Sequence, residues 1–156
     1  MGDSRRFHLF AKLILKHLPL KANIVDISGG KGYLQAALRQ NGYMHVTSWD
    51  KRKKYTCNRQ NYRYGYFNWE SAPEYEAVVA MHPDEGTDHA ILYAASRGIP
   101  GLVCPCCIKP DAVAFWQNYK LDLWYQHLEG LALKYKRQVT WATLPMNGRS
   151  QVMIIT

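Results

Sequence analysis

The sequence predicts an α/β fold: a three-layer sandwich with a mostly parallel seven-stranded sheet and an antiparallel C-terminal hairpin strand. Three observations lead there. The apolar run Ile24-Val25-Asp26-Ile27 enters Ser28-Gly29-Gly30-Lys31-Gly32, as a buried strand does when it turns into a helix. Short apolar runs then alternate with stretches of helical periodicity, the pattern of a parallel sheet covered on both faces. Near the end, Asn147-Gly148 separates two strand-like runs, which makes a hairpin and reverses the last strand.

The elements follow in order. Phe7, Phe10, Ala11, Ile14, Leu15 and Leu18 recur at helical spacing, so residues 1–18 carry an amphipathic helix that Pro19 ends. Ile24–Ile27 is the first strand. Tyr33–Gln40 is a helix closed by Asn41-Gly42. Met44–Trp49 is the second strand, and the basic segment Lys51–Arg59 follows it as a short helix or turn. Tyr62–Phe67 and Tyr75–Ala80 are strands three and four, Thr87–Ser96 a helix, and Gly101–Cys104 strand five. A long helix is expected from Asp111 to about Leu133, then strands Gln138–Leu144 and Gln151–Ile155.

The 156 residues, with 47% hydrophobic and 21% charged content, suit one domain spanning 1–156 with the N-terminal helix packed on it. No apolar run approaches the ~20 residues of a membrane span. Lys12, Lys16 and His17 interrupt any signal-peptide core. Four cysteines are too few and too unevenly placed for a disulfide scaffold, and a cytoplasmic location is the expectation. A formal charge of +8 favours a polyanionic partner such as RNA or DNA. The oligomeric state is not legible.

Three ligands compete for the glycine loop. A phosphate-binding P-loop needs GxxxxGK[ST], which Gly-Gly-Lys-Gly-Tyr does not supply. A dinucleotide fingerprint needs GxGxxG, and here Gln35 stands at the last position. The third ligand is S-adenosylmethionine. Asp26-Ile27-Ser28-Gly29-Gly30-Lys31-Gly32 resembles the D-x-G-x-G-x-G loop of class I (Rossmann-like) methyltransferases, with Ser28 where the first glycine usually lies. That resemblance implies a reversed seventh strand, as Asn147-Gly148 also suggests. It further implies cofactor contact by Asp26, Ser28, Gly29, Gly30, Lys31 and Gly32. Asp50, with Lys51 beside it, falls where an acid holds the ribose hydroxyls. Asn68 and Trp69 follow strand three, where the family contacts adenine, and Met81 ends strand four. Trp69 reads equally well as a core residue.

On the reaction side, Met81-His82-Pro83-Asp84-Glu85-Gly86-Thr87-Asp88 is similar to the His-x-x-Gly-x-x-Thr-Asp neighbourhood of a group that includes tRNA 2′-O-methylating enzymes of the Trm13 type. His82 and Gly86 here lie one residue further apart. That group also carries a Cys-Cys pair after strand five, matched by Pro105-Cys106-Cys107. A hydroxyl acceptor needs its proton removed, and His82 and Asp84 are the candidate base and orienter. Asp88, Pro105, Cys106 and Cys107 are the candidate substrate contacts. The competing readings are a structural loop histidine, helix-capping acids and small buried thiols. No metal site is expected, because three cysteines crowd into Cys104–Cys107 and Cys57 lies far off in sequence. Lys51-Arg52-Lys53-Lys54-Tyr55 and the following Arg63, Tyr62, Tyr64 and Tyr66 interleave cations with aromatics, as phosphate contact and base stacking require.

The expected function is S-adenosylmethionine-dependent methyl transfer, most readily to an RNA hydroxyl or base. A small-molecule or protein acceptor, NAD-linked chemistry, or an inactive Rossmann-like binding module remain as alternatives.

Overall fold

The structure, a computed structural model, describes residues 2–56, 60–108 and 120–156. In chain order the elements are α1 (Arg6–Leu15), β1 (Ile24–Ile27), α2 (Tyr33–Gln40), β2 (Val46–Asp50), α3 (Lys53–Thr56), β3 (Tyr62–Tyr64), β4 (Ala77–Met81), α4 (Gly86–Arg97), β5 (Gly101–Cys104), α5 (Leu121–Leu133), β6 (Val139–Thr143) and β7 (Gln151–Ile155). The strands form one sheet in the order β3-β2-β1-β4-β5-β7-β6. β1 pairs parallel with β2 and β4, and β4 pairs parallel with β5. β7 runs antiparallel to both of its neighbours, β5 and β6.

Alternation along the strands sorts the core into two layers. Ile24, Ala77, Val79 and Leu102 face one side, against Phe10 and Ile14 of α1 and Leu34 and Leu38 of α2. Val25, Val78, Ala80 and Val103 face the other, against Ala90, Ile91 and Ala94 of α4 and Trp124 and Leu128 of α5. β1 and β4 are buried along their whole length, as a doubly covered parallel sheet demands; β4 is apolar throughout and β1 at all but Asp26.

Several element ends differ from the sequence reading. β3 stops at Tyr64, because Gly65 takes φ +141° and turns the chain out of the ladder. α1 ends at Leu15, and the chain then tightens through bonds from His17 and Leu18 to the Ile14 carbonyl. Lys120, inside the expected long helix, is extended at φ −75°, ψ 149° and precedes α5 at Leu121. The part of the expected long helix over 111–119, and the end of the basic segment over 57–59, lie outside the described residues. The C-terminal hairpin is as expected, with Thr143 opposite Gln151 and Val139 opposite Ile155.

The parallel strands all point their C-terminal ends at one edge of the sheet. The glycine loop after β1, Asp50 at the end of β2, the loop after β4 and the Cys104–Cys107 segment after β5 therefore share one rim. This is the edge where open α/β sheets bind ligands.

Candidate cofactor and active site

Ser28, Gly30 and Gly32 adopt positive φ (60°, 54° and 86°), which turns the backbone of the loop between β1 and α2. Gly29 fills a different need. A Cβ there would lie 2.7 Å from Asp26 Oδ2, 2.8 Å from Ser48 Cβ and 2.9 Å from the Tyr62 hydroxyl, so only glycine fits. The loop thus closes directly over Asp26, whose exposure is 1%.

Asp26 accepts a hydrogen bond from Ser48 Oγ at 2.7 Å, and Gln35 Nε2 donates to Ser48 Oγ at 3.0 Å. Burial pushes the Asp26 carboxyl up to about 7; the Ser48 bond opposes the rise and the charge of Asp50 adds to it. Asp26 therefore supports the glycine loop from beneath.

Asp50 fastens the loop from the side. Its Oδ2 accepts from Gly30 N–H at 2.8 Å, and its Oδ1 from Arg52 N–H at 2.9 Å. The Arg52 guanidinium adds a fork, with Nε to Oδ1 at 2.9 Å and Nη2 to Oδ2 at 3.0 Å. Burial alone would raise this carboxyl, but the bonds from Arg52 and Gly30 outweigh it and hold it below its ordinary value. The Tyr62 hydroxyl donates to the Gly30 carbonyl. The sequence reading gave Arg52 and Tyr62 to a polyanion-binding surface and connected neither these two nor Ser48 and Gln35 with support of the loop.

A cleft of about 470 Å³ opens beside the loop. Its apolar wall is Ile27, Trp49 and Phe67, and its polar rim includes Ser28, Asp50, Lys51, Asn68, Glu85 and His89. Lys51 reaches across the mouth to Glu85 at 3.2 Å. Asn68 lines the cleft and its Oδ1 accepts from Glu70 N–H at 2.9 Å. Trp69 turns instead toward Tyr135, at 6.5 Å between ring centroids, and joins the core beside α4 and α5. Met81 is buried at the end of β4.

The loop after β4 meets the glycine loop. Ser28 Oγ donates to the Pro83 carbonyl at 3.1 Å. His82 and Asp84 both take φ +51°. The His82 imidazole is held by the β6–β7 loop, with Nε2 2.9 Å from the Arg149 carbonyl. A carbonyl only accepts, so Nε2 carries the proton and Nδ1 the lone pair. Burial lowers the His82 pKa, with a further push from Arg6; the Arg149 bond and the charge of Asp84 work against it. The histidine is neutral near pH 7. Asp84 accepts from the Cys106 thiol at 3.2 Å. Asp88 lies in the first turn of α4, 3.7 Å from His127 Nε2 on α5. Pro105 and Cys104 are buried, Cys106 half-buried and Cys107 exposed.

No family model and no curated protein sequence matches the chain. Solved structures do. Fibrillarin from Aeropyrum pernix, determined with natively bound S-adenosyl-L-methionine, superposes with a TM-score of 0.63 at 13% identity over 94% of this chain and 73% of that one. DesVI from Streptomyces venezuelae gives 0.67 at 10% identity over 97% and 92%. The magnesium protoporphyrin IX methyltransferase of Synechocystis PCC 6803, solved with S-adenosylmethionine, gives 0.63 at 13% identity over 98% and 80%. The chain thus has the α/β Rossmann-like fold of class I S-adenosylmethionine-dependent methyltransferases.

Proposed function

We propose that this chain is an S-adenosylmethionine-dependent methyltransferase with an RNA hydroxyl or base as acceptor. The observation that carries the reading is the bond from Gly30 N–H to Asp50, which locks a glycine loop to an acid at the mouth of the cleft. The residues fit the cofactor. About 470 Å³ lies within the ~300–1,000 Å³ of small-ligand sites. Phe67, Trp49 and Asn68 offer an apolar wall and an amide for adenine, Asp50 an acceptor for a ribose diol, and the loop a close backbone approach for the methionine part. Asp26 acts through the loop above it. The cofactor, when bound, supplies an electrophilic methyl group on a sulfonium.

His82 is the proton acceptor, through Nδ1, for an acceptor hydroxyl. The Arg149 carbonyl orients its ring and burial keeps it neutral. The likeness of residues 81–88 and 104–107 to tRNA 2′-O-methylating enzymes of the Trm13 type supports a hydroxyl acceptor. RNA is favoured by the aromatic and basic surface at the cleft mouth. Tyr64 and Tyr66 are 61% and 78% exposed, Lys51 Nζ lies 5.6 Å from the Tyr66 ring, and the Arg52 guanidinium lies 4.4 Å from that of Tyr55.

One observation favours a second reading, an inactive binding module. Arg52 already engages both oxygens of Asp50, so a ribose diol must displace part of that fork. Titration calorimetry with S-adenosylhomocysteine and with NAD tests the cofactor; binding of NAD alone overturns it. A tritiated-methyl assay over RNA, protein and metabolite pools then tests the acceptor. Tight cofactor binding without transfer to any pool favours the binding module.

A further inference from the structure

Asp84 stands on the loop after β4, and Cys106 and Cys107 on the loop after β5. In sequence they are 22 residues apart, and nothing in the cysteine spacing connects them. Because β4 and β5 pair in parallel, with Met81 opposite Cys104, their loops leave the sheet side by side. The result is the one cluster of its kind among the described residues: one carboxylate oxygen and two thiol sulfurs, all within 4.8 Å of one another.

We propose that Asp84, Cys106 and Cys107 form a three-donor site for a thiophilic divalent cation, with zinc as the type ion. The donor chemistry is right for it, since thiolates and carboxylates are ordinary zinc ligands. The spacing is close. Tetrahedral zinc sets its donors roughly 3.5–3.8 Å apart, from the usual zinc–ligand lengths. Asp84 Oδ1 and Cys106 Sγ already stand 3.2 Å apart, and the exposed Cys107 sulfur lies within 4.8 Å of both.

Charge points the same way. Two thiolates and a carboxylate carry three negative charges, which a divalent ion reduces to one, and the Arg52 guanidinium interacts electrostatically with Asp84. Coordination of the cation displaces the two thiol protons, which pass to solvent. Three protein donors leave a tetrahedral ion one position for water or another ligand, the arrangement of catalytic rather than structural zinc sites. The donor set stands whatever the neighbouring cleft binds, so its test is independent of methyl transfer.

The test uses the full chain, reduced and stripped with chelator, and titrated with Co²⁺ as a spectroscopic substitute for Zn²⁺. The expected result is a thiolate-to-cobalt charge-transfer band that saturates at one equivalent and is abolished by Zn²⁺. Cys106→Ser, Cys107→Ser and Asp84→Asn should each weaken binding at least about tenfold, since even outer-shell partners of a metal are worth about 10- to 100-fold. Cys57→Ser should leave the band unchanged. Far-ultraviolet circular dichroism checks that each variant folds, and Cys107→Ser, at an exposed position, keeps the test decisive if Cys106→Ser does not. Absence of the band, its survival in folded Cys107→Ser, or its loss in folded Cys57→Ser overturns the proposal.

Discussion

The Ser28 hydroxyl donates to the Pro83 carbonyl at 3.1 Å and so ties the glycine loop to the loop that carries His82. Gly86 completes the junction, since a Cβ there would lie 2.8 Å from Ser28 Oγ. Ser28 pays for this position with a left-handed backbone at φ 60°, which explains why a glycine usually stands there. Two substitutions separate the effects. Ser28→Ala keeps the strain and loses the bond, and should destabilise by about 1 kcal/mol. Ser28→Gly loses the bond but relieves the strain, and should fall within ~0.5 kcal/mol of the parent. Urea unfolding measures both, and a glycine variant weaker than the alanine variant would show that relief of the left-handed backbone does not offset glycine's greater chain entropy.

Arg52 engages both oxygens of Asp50, the carboxylate that the proposed reading assigns to a ribose diol. Asp50→Ala should weaken S-adenosylhomocysteine binding by about tenfold or more, as removing a charged hydrogen-bond acceptor does. Arg52→Ala should leave affinity unchanged or tighten it. Calorimetry distinguishes this from the opposite role, in which Arg52 holds Asp50 in place and its loss weakens binding.

Much of this fold is legible because its signals are local. Ile24–Ile27 and Ala77–Ala80 are apolar runs that only a covered sheet can bury, and Asn147-Gly148 marks its hairpin by turn chemistry alone. The candidate site is legible only in part. Asp26, Ser28 and Asp50 carry a spacing pattern, so their places near the loop could be read. Their partners Ser48 and Gln35 carry none, because those contacts depend on which elements lie adjacent. Trp69 was ambiguous for a physical reason: an indole beside a cleft and an indole in a core have the same local sequence. The extended backbone of Lys120, inside the expected helix, was hidden because Lys120 is neither the glycine nor the proline that announces such a residue.

Asp26 makes stability fall with rising pH. Its carboxyl stands at about 7 when folded, against the ordinary 3.8. Between those values the unfolded chain loses the proton while the folded chain keeps it, so this contribution is complete below about pH 4 and gone above about pH 7. The drop is on the order of 4 kcal/mol at 1.4 kcal/mol per pH unit. Asp26→Asn should remove that slope, which denaturant titrations of both proteins at several pH values will reveal. Equal slopes would rule the effect out.

Gly29→Ala should disturb the loop, because its new methyl group meets Asp26, Ser48 and Tyr62 within 3 Å. A loss of about 1–3 kcal/mol is expected. Affinity for S-adenosylhomocysteine should fall with it. Unchanged thermal melting would mean that the loop backs away from Asp26 freely.

If His82 accepts the proton, the acidic limb of kcat/KM lies below the ordinary histidine value of 6.5, because burial lowers its pKa. Arg6 adds to that lowering, so Arg6→Ala should move the limb toward higher pH. His82→Gln should flatten the limb while cofactor affinity persists. A limb unmoved by Arg6→Ala would place the titrating group elsewhere.

The position of β7 bears on the order of assembly. β6 reaches the sheet only through β7, which sits between it and β5. Residues 24–104 can zip together as parallel neighbours, yet the open edge of β5 has no partner until residues 151–155 arrive. Pairing Gly101 with Ile155 closes a loop of more than fifty residues, an entropic step that local contacts cannot shortcut. The rim at the Cys104 end of β5 is therefore completed late, by the strand that is synthesised last among those described.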